Sequence, residues 1–300
     1  MWPILIIIRS RKAPYFLLSL LKMKETLKSL RASLVPIYGV RETEAIIRIM
    51  FHYLKGWNLT DMLIHGEDKL SPVIKEEIKG IERRLLKQEP IQYITGEARF
   101  HGMEMKIRPG VLIPRPETEE LVDLIIDDFK DKPDLRILDL CTGSGCIAIS
   151  LVRNLPFSKV TAIDISPEAI EVAKENSLKL KTRINLLRED IFLWQPEHKF
   201  DIMVSNPPYV MDREALDMEK NVLDYEPHEA LFVRDENPLV FYKRITDLGH
   251  EFLEDNGKLY LEINPLKVDE LVNLMESKGF SDIDVHKDIY GKDRFLSCKK

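Results

Sequence analysis

The chain has 300 residues, of which 44% are hydrophobic and 31% charged, which excludes a disordered chain and predicts one large domain or two smaller ones. Its formal net charge of −6 and isoelectric point near 5.8 argue against a protein that grips a nucleic-acid backbone over a large footprint. Its three cysteines, Cys141, Cys146 and Cys298, fit neither a disulfide framework nor a zinc site, so a reducing compartment is favoured.

Residues 1–22 differ in composition from the rest of the chain. Two short apolar runs surround Arg9, Arg11 and Lys12, and the first acidic residue is Glu25. Both runs are far shorter than the ~20 residues that a bilayer helix needs, so no membrane association is expected. The pattern fits either an organellar transit peptide or a start placed too early, with Met23 as the first residue; we favour the second. Either way, this leader is expected to lie outside the fold.

Residues 23–90 are predicted to form a small helical domain. Apolar residues recur at intervals of three and four around 45–53, which is helical spacing. Ser71 and Pro72 supply an N-cap and a first-turn proline for a helix that runs to about Lys87. Such a domain either covers the larger domain or recognises a macromolecular substrate.

Residues 91–112 are predicted to be a β-hairpin linker, because apolar and polar residues alternate from Ala98 to Ile107 around a break at His101-Gly102. The third region, 113–300, begins with two prolines that flank Arg115 and Glu117. These two side chains form a rigid cleft wall in one interpretation. In the other, Thr118 caps a helix from Glu119 to Phe129.

A strand at 136–140 and a helix at 146–153 flank a glycine-containing loop, Cys141-Thr142-Gly143-Ser144-Gly145. Glycines allow the backbone to approach a ligand closely, and free N–H groups at a helix start favour an anionic group. This arrangement indicates an adenosine-type ligand. The loop alone does not separate NAD from S-adenosylmethionine.

Acidic residues end the next two strands. Asp164 ends the strand at 160–164, where a ribose diol would lie, and Ser166 already supplies the cap of the following helix. The alternative is a turn role for Asp164. After the strand at 184–187, Asp190 is a candidate hydrogen-bond acceptor for an adenine amine, and Ile191 is a candidate to pack on the adenine ring. Acids after strands are frequent, so Asp190 is a weaker signal than Asp164.

The sequence Asn206-Pro207-Pro208-Tyr209 stops an apolar strand at 200–204. The prolines remove two N–H donors and leave nearby carbonyls as rigid acceptors, while Asn206 adds a carbonyl and Tyr209 a flat face. A planar NH2 group, either an amide or the amine of a base, is the expected guest. Held by the Asn206 oxygen and a proline carbonyl, its nitrogen could accept a methyl group. The alternative is a plain Pro-Pro turn.

The later segments alternate between helix and strand, which predicts a mostly parallel α/β sheet covered by helices on both faces. The residues near 225–231 are irregular and are interpreted as a loop over the cleft. Predicted elements follow at 238–253 (helix), 258–263 (strand), 265–278 (helix), 283–286 (strand) and 295–298 (strand). In such sheets ligands bind at the carboxyl ends of strands, where the glycine loop, Asp164, Asp190 and Asn206 are all predicted to lie.

With these residues in hand, the chain from about Met23 resembles the HemK-type protein-(glutamine-N5) methyltransferases, which modify class I peptide chain release factors. The motifs that carry the resemblance are residues 113–119, 139–145, Asp164, 206–209 and Glu226-Pro227 with Ala230-Leu231, in the family's order. The 206–209 motif alone also marks adenine amino-methylases. The resemblance implies a seven-stranded, Rossmann-like S-adenosylmethionine domain that follows a helical domain and a hairpin linker.

The resemblance further implies methylation of the glutamine in the Gly-Gly-Gln loop of release factors, in the cytoplasm and without stable binding of nucleic acid. Two positions depart from the family: many relatives have glycine at Cys141, and an aromatic residue is common at Ile191. Three alternatives stay open, namely an adenine-amino methyltransferase on nucleic acid, a glutamine methyltransferase of a ribosomal protein, and a nucleotide-binding module without catalysis.

Overall fold

Apolar residues at helical spacing build the first of two units in this computed structural model, which describes residues 22–300. Residues 1–21, nearly all of the expected leader, lie outside the described residues. The units divide between Thr95 and Gly96. The helices of the first unit are α1 (Met23–Lys55), α2 (Leu59–Ile64), α3 (Pro72–Leu85) and α4 (Ile91–Thr95).

The first unit packs its helices around a core that includes Met23, Leu34, Ile47 and Phe51, all fully buried. Helix α1 breaks at Gly39, where φ is +73°. The hydroxyl of Ser71 caps α3 by accepting from the Ile74 N–H, as predicted. Residues 91–95, which the sequence analysis assigned to the linker, form α4 in this unit.

The second unit begins with the predicted hairpin, β1 (Glu97–Phe100) paired antiparallel with β2 (Met103–Lys106). His101 and Gly102 turn the chain with φ of +46° and +72°. Two consecutive residues with positive φ are typical of the type I′ turn, whose twist matches that of a hairpin.

A seven-stranded sheet in the order β10-β11-β9-β6-β3-β4-β5 follows. Strands β3, β4, β5, β6 and β9 are parallel, and β11 is antiparallel to both of its neighbours. The strands are β3 (Arg136–Leu140), β4 (Lys159–Asp164), β5 (Asn185–Arg188), β6 (Phe200–Ser205), β9 (Leu253–Glu262), β10 (Ser281–Lys287) and β11 (Asp293–Lys299). The predicted α/β class is therefore confirmed.

Helices cover both faces of this sheet because successive strand residues point to opposite sides. Ile137 and Val204 join one hydrophobic core, and Leu138 and Met203 join the other. The helices are α5 (Pro116–Phe129), α6 (Cys146–Asn154), α7 (Pro167–Lys179), α9 (Val240–Phe252) and α10 (Val268–Ser277). The strand order reverses between β3 and β6, which opens a crevice at their carboxyl ends.

Two local predictions differ from the structure. Helix α5 begins at Pro116 rather than Glu119, since proline suits a first helical position, so Thr118 lies inside the helix and does not cap it. Strand β9 begins at Leu253, not at Lys258. The loop expected near 225–231 is flanked by helix α8 (Lys220–Tyr225) and strand β8 (Phe232–Val233), which pairs parallel with β7 (Val210–Met211).

No helix among residues 22–300 is both long enough and apolar enough to cross a membrane.

Candidate active site

The crevice between β3 and β6 contains a cavity of about 220 Å³. Its walls come from the loops that follow four parallel strands, so residues far apart in sequence meet at one edge of the sheet. The predicted site residues that line it are Cys141, Gly143, Asp164, Asp190, Ile191, Asn206 and Pro208. The placement of the glycine loop, Asp164, Asp190 and Asn206 at one sheet edge is thus as predicted.

The loop after β3 exposes only part of itself to this cavity. Cys141, Gly143 and Gly145 have positive φ values of +62°, +56° and +78°. A Cβ on Gly143 would meet nothing within 4 Å, so the backbone there is open to a ligand. A Cβ on Gly145 would lie 3.0 Å from the Cβ of Ala173, so this glycine serves the packing of α6 on α7.

Two polar side chains of this loop turn inward. The Thr142 hydroxyl donates to Asp139 Oδ2 at 2.6 Å. Ser144 Oγ is buried and has no hydrogen-bond partner among the described residues. Neither residue lines the cavity, although both were predicted to belong to the cofactor site. Burial raises the pKa of the Asp139 carboxyl to about 7.

Asp164 ends β4 beside the same loop. Its Oδ2 accepts from the Gly143 N–H and its Oδ1 from the Ser166 N–H, both at 2.9 Å. Ser166 caps α7 through the Ala169 N–H, as predicted. Asp164 therefore has the turn role that was kept as an alternative, and its carboxylate also faces the cavity. Burial raises its pKa.

Side chains after β5 and on α9 form the opposite wall of the cavity. Asp190 Oδ1 accepts from the Phe192 N–H at 2.9 Å, and Ile191 is buried. The rings of Phe192 and Phe241 lie 5.1 Å apart at 54°, and both line the cavity. The sequence analysis missed Phe241, because nothing in a helical apolar pattern distinguishes a cavity-facing ring from a core ring.

A second, smaller cavity of about 40 Å³ adjoins the first, and we call it the acceptor slot. Its walls include Arg115, Pro207, Tyr209, Leu231 and Glu262. Asn206 lines both the slot and the larger cavity. A group held in the slot would therefore reach the larger cavity beside the Asn206 side chain.

Hydrogen bonds tie Asn206 to the end of β9. Asn206 Nδ2 donates to Thr118 Oγ1 at 3.3 Å, and the Thr118 hydroxyl donates to Glu262 Oε2 at 2.7 Å. The Tyr209 hydroxyl donates to Glu262 Oε1 at 2.9 Å. Burial raises the pKa of Glu262. The sequence analysis missed Glu262, although an acid inside the apolar run 259–263 was a usable signal.

A buried ion pair pins the segment 220–231 to the turn before α5. Glu226, whose side chain is 1% exposed, accepts from Arg115 Nη2 at 2.7 Å and from the Ile113 N–H at 3.2 Å. The interpretation of Arg115 as part of a rigid cleft wall agrees with this contact. Because residues 225–231 were interpreted as a loop over the cleft, the burial of Glu226 was not predicted.

Comparison with known proteins gives two family matches, the PrmC N-terminal domain over residues 25–96 and the methyltransferase small domain over residues 115–225. The release factor glutamine methyltransferase of Bacteroides thetaiotaomicron is 46% identical over 90% of this chain and 98% of its own length. That of Flavobacterium psychrophilum is 42% identical over 88% of this chain and 94% of its own length. The chain belongs to the release factor glutamine methyltransferase family. A methyltransferase structure from Pyrococcus furiosus, 18% identical, shares the fold at a TM-score of 0.50 over 74% of this chain and 98% of its own.

Membership in the release factor glutamine methyltransferase family confirms the resemblance seen in the sequence. The expected strain at Cys141 is also present, since its φ of +62° is a conformation that glycine adopts without cost. Burial raises the pKa of the Cys141 thiol. The roles of individual site residues remain predictions.

Proposed function

We propose that this methyltransferase transfers a methyl group from S-adenosylmethionine to the side-chain amide nitrogen of the glutamine in the Gly-Gly-Gln motif of class I peptide chain release factors. The observation that carries the proposal is the position of Asn206, which borders both the larger cavity and the acceptor slot. Family membership supports the choice of substrate.

The residues around the larger cavity fit S-adenosylmethionine. The open space above Gly143 admits a ligand next to backbone. Asp164 keeps acceptor capacity for ribose hydroxyls, because two backbone N–H groups do not exhaust the roughly four lone pairs of a carboxylate. Asp190, Ile191 and Phe192 would hold the adenine, with Phe241 adding an aromatic wall that Ile191 does not supply.

S-Adenosylmethionine supplies an electrophilic methyl group on a sulfonium and leaves as the neutral thioether. Asn206 Oδ1 and the Pro207 carbonyl would accept the two amide N–H bonds of the substrate, while Pro208 and Tyr209 shape the site. Positive charge that develops on the amide nitrogen then meets fixed acceptors. We assign no general base, since the methylated nitrogen is acidic and can release its proton to water afterwards.

The charge near the slot favours a protein over a nucleic acid. Residues 210–231 contain seven acids, of which Glu226 is paired with Arg115, but only two basic residues, Arg213 and Lys220. A phosphate backbone would be repelled there, whereas a basic protein loop would not. The seven acids are Asp212, Glu214, Asp217, Glu219, Asp224, Glu226 and Glu229.

The proposed substrate also suggests roles for the other parts of the chain. The helical unit, which extends to Thr95, would recognise the body of the release factor, and the hairpin linker that follows would join it to the catalytic domain at 113–300. Because release factors act on ribosomes, we place the activity in the cytoplasm. Residues 1–21 are expected to be dispensable, whereas Lys22 pairs with Glu67 in the helical unit.

The test is incubation of the full chain with S-adenosylmethionine labelled in its methyl group and a purified release factor. We expect label on the release factor, none when its Gly-Gly-Gln glutamine is changed to alanine, and none on DNA or RNA oligonucleotides. A purified ribosomal protein serves as the competing glutamine substrate. Label on adenine in an oligonucleotide, with none on the release factor, would overturn the proposal.

A further inference from the structure

A chain of hydrogen-bonded side chains runs from Arg294 on β11 to the acceptor slot. Arg294 Nη1 lies 3.5 Å from the Tyr209 hydroxyl, which in turn contacts Glu262. Glu262 contacts Thr118, and Thr118 contacts Asn206. Thr118 and Glu262 are each 2% exposed, so water does not compete for these bonds.

The direction of each proton in this chain follows from which groups can donate. A guanidinium has no acceptor, so Arg294 donates to the Tyr209 oxygen and Tyr209 directs its own proton to Glu262. With Glu262 ionised, as the nearby positive charge of Arg294 favours, its two oxygens accept from two hydroxyls, those of Tyr209 and Thr118.

Thr118 has one hydroxyl proton, and it donates this proton in its hydrogen bond to Glu262. The Thr118 oxygen can therefore only accept from Asn206, and only the NH2 end of the Asn206 amide can donate to it. The carbonyl end, which is the end a substrate amide needs, must point away from Thr118. Without this constraint the two ends of an asparagine amide have nearly the same shape.

We propose that Thr118 and Glu262 are positioning residues that hold the Asn206 amide with its oxygen toward the acceptor. This inference rests on the proposed function and adds the reason why Asn206 presents an acceptor and not a donor. It also accounts for an acid buried at the end of β9, in the wall of the acceptor slot.

The test compares isosteric variants in single-turnover methyl transfer to a release factor, at saturating S-adenosylmethionine. Thr118→Val removes the hydroxyl, and Thr118→Ser keeps it. We expect Thr118→Val to be slower by about 10- to 100-fold, the range typical of partners that orient a metal ligand. Thr118→Ser should remain within about threefold of the unaltered protein. Thr161→Val, the same change in β4, is the matched control.

A double-mutant cycle separates positioning from a general loss of structure. In the Asn206→Ala background there is no amide to orient, so Thr118→Val should slow transfer less than about twofold further. The affinity for S-adenosylmethionine, measured by calorimetry, should be unchanged by the Thr118 and Glu262 substitutions. The amide of Glu262→Gln can donate to the Thr118 oxygen, which would turn the Thr118 hydroxyl proton toward Asn206. Glu262→Gln should therefore slow methyl transfer to about the same extent as Thr118→Val.

The outcomes distinguish two failures. No methyl transfer by the unaltered protein would overturn the proposed function and this inference with it. Transfer by the unaltered protein at the same rate as Thr118→Val, or a full 10-fold or greater effect of Thr118→Val in the Asn206→Ala background, would overturn the inference alone.

Discussion

Strands β4 and β9 both end in a carboxylate at the active-site edge of the sheet, and the two carboxylates are held in different ways. Asp164 accepts from backbone N–H groups of residues 2 and 21 positions away. Glu262 accepts from side-chain hydroxyls 53 and 144 positions away. Burial raises the pKa of both. The β4 end is thus held by backbone groups of its own turn and of the glycine loop, and the β9 end by side chains that are distant in sequence.

This difference separates the two halves of the site. The cofactor side depends on the backbone conformation around Asp164. Substitutions of the neighbouring side chains can leave that conformation unchanged. The acceptor side depends on a hydrogen-bonded set of side chains in which each member fixes the next. Substitutions on the two sides should therefore affect different steps.

The largest effect is expected on the acceptor side. Asn206→Ala removes the oxygen that would orient the substrate amide, and the loss of one oriented polar contact typically costs about 10² to 10³ in rate. Single-turnover transfer at saturating cofactor measures this rate. Near-normal turnover would show that Asn206 does not touch the reacting amide.

The corresponding change on the cofactor side is Asp164→Ala. It removes a charge-assisted acceptor, so affinity for S-adenosylmethionine should fall by roughly 1.5–3 kcal/mol, or about 10- to 150-fold. Calorimetry measures the affinity directly. If affinity is unchanged, Asp164 has only its turn role with Gly143 and Ser166.

A smaller effect is expected where the segment 220–231 meets the acceptor slot. Arg115→Ala leaves the buried Glu226 carboxylate without its cation, which should lower the free energy of unfolding by about 1–2 kcal/mol and speed hydrogen exchange in 220–231. Arg136→Ala, which breaks a more exposed pair with Glu254, is the control and should cost about 0–1 kcal/mol. Equal losses in both variants would contradict a pinning role.

The smallest effect concerns the loop on the cofactor side. Cys141 has a φ of +62°, a conformation that costs a residue with a side chain about 1–2 kcal/mol. Glycine would relieve this strain, but its larger conformational entropy in the unfolded chain would offset part of the stabilisation. Cys141→Gly should raise the melting temperature by up to a few degrees. Cys298→Ala, in the regular strand β11, should lower it. A lower melting temperature for Cys141→Gly would mean that its side-chain contacts outweigh the strain.

Much of the fold and of the cofactor side was predictable because the signals are local. The alternation of helix and strand, the turn at His101-Gly102, the glycine loop and Asp164 each depend on neighbouring residues. Thr118 was misinterpreted as a helix cap because its partner, Glu262, is 144 positions away. The early start of β9 was hidden by polar residues at 254–256, which its apolar second half outweighs. The resemblance included Glu226, but its burial against Arg115 was not predicted, because the two residues are 111 positions apart.

The central claim, that the two strand ends govern separate steps, is tested most directly by one measurement. It is the single-turnover rate of Asp164→Ala and of Asn206→Ala as the concentration of S-adenosylmethionine is raised to saturation. We expect the Asp164→Ala rate to approach that of the unaltered protein at saturation, and the Asn206→Ala rate to stay about 10²- to 10³-fold lower. A rate for Asp164→Ala that stays equally low at saturation, or one for Asn206→Ala that cofactor restores, would contradict the account.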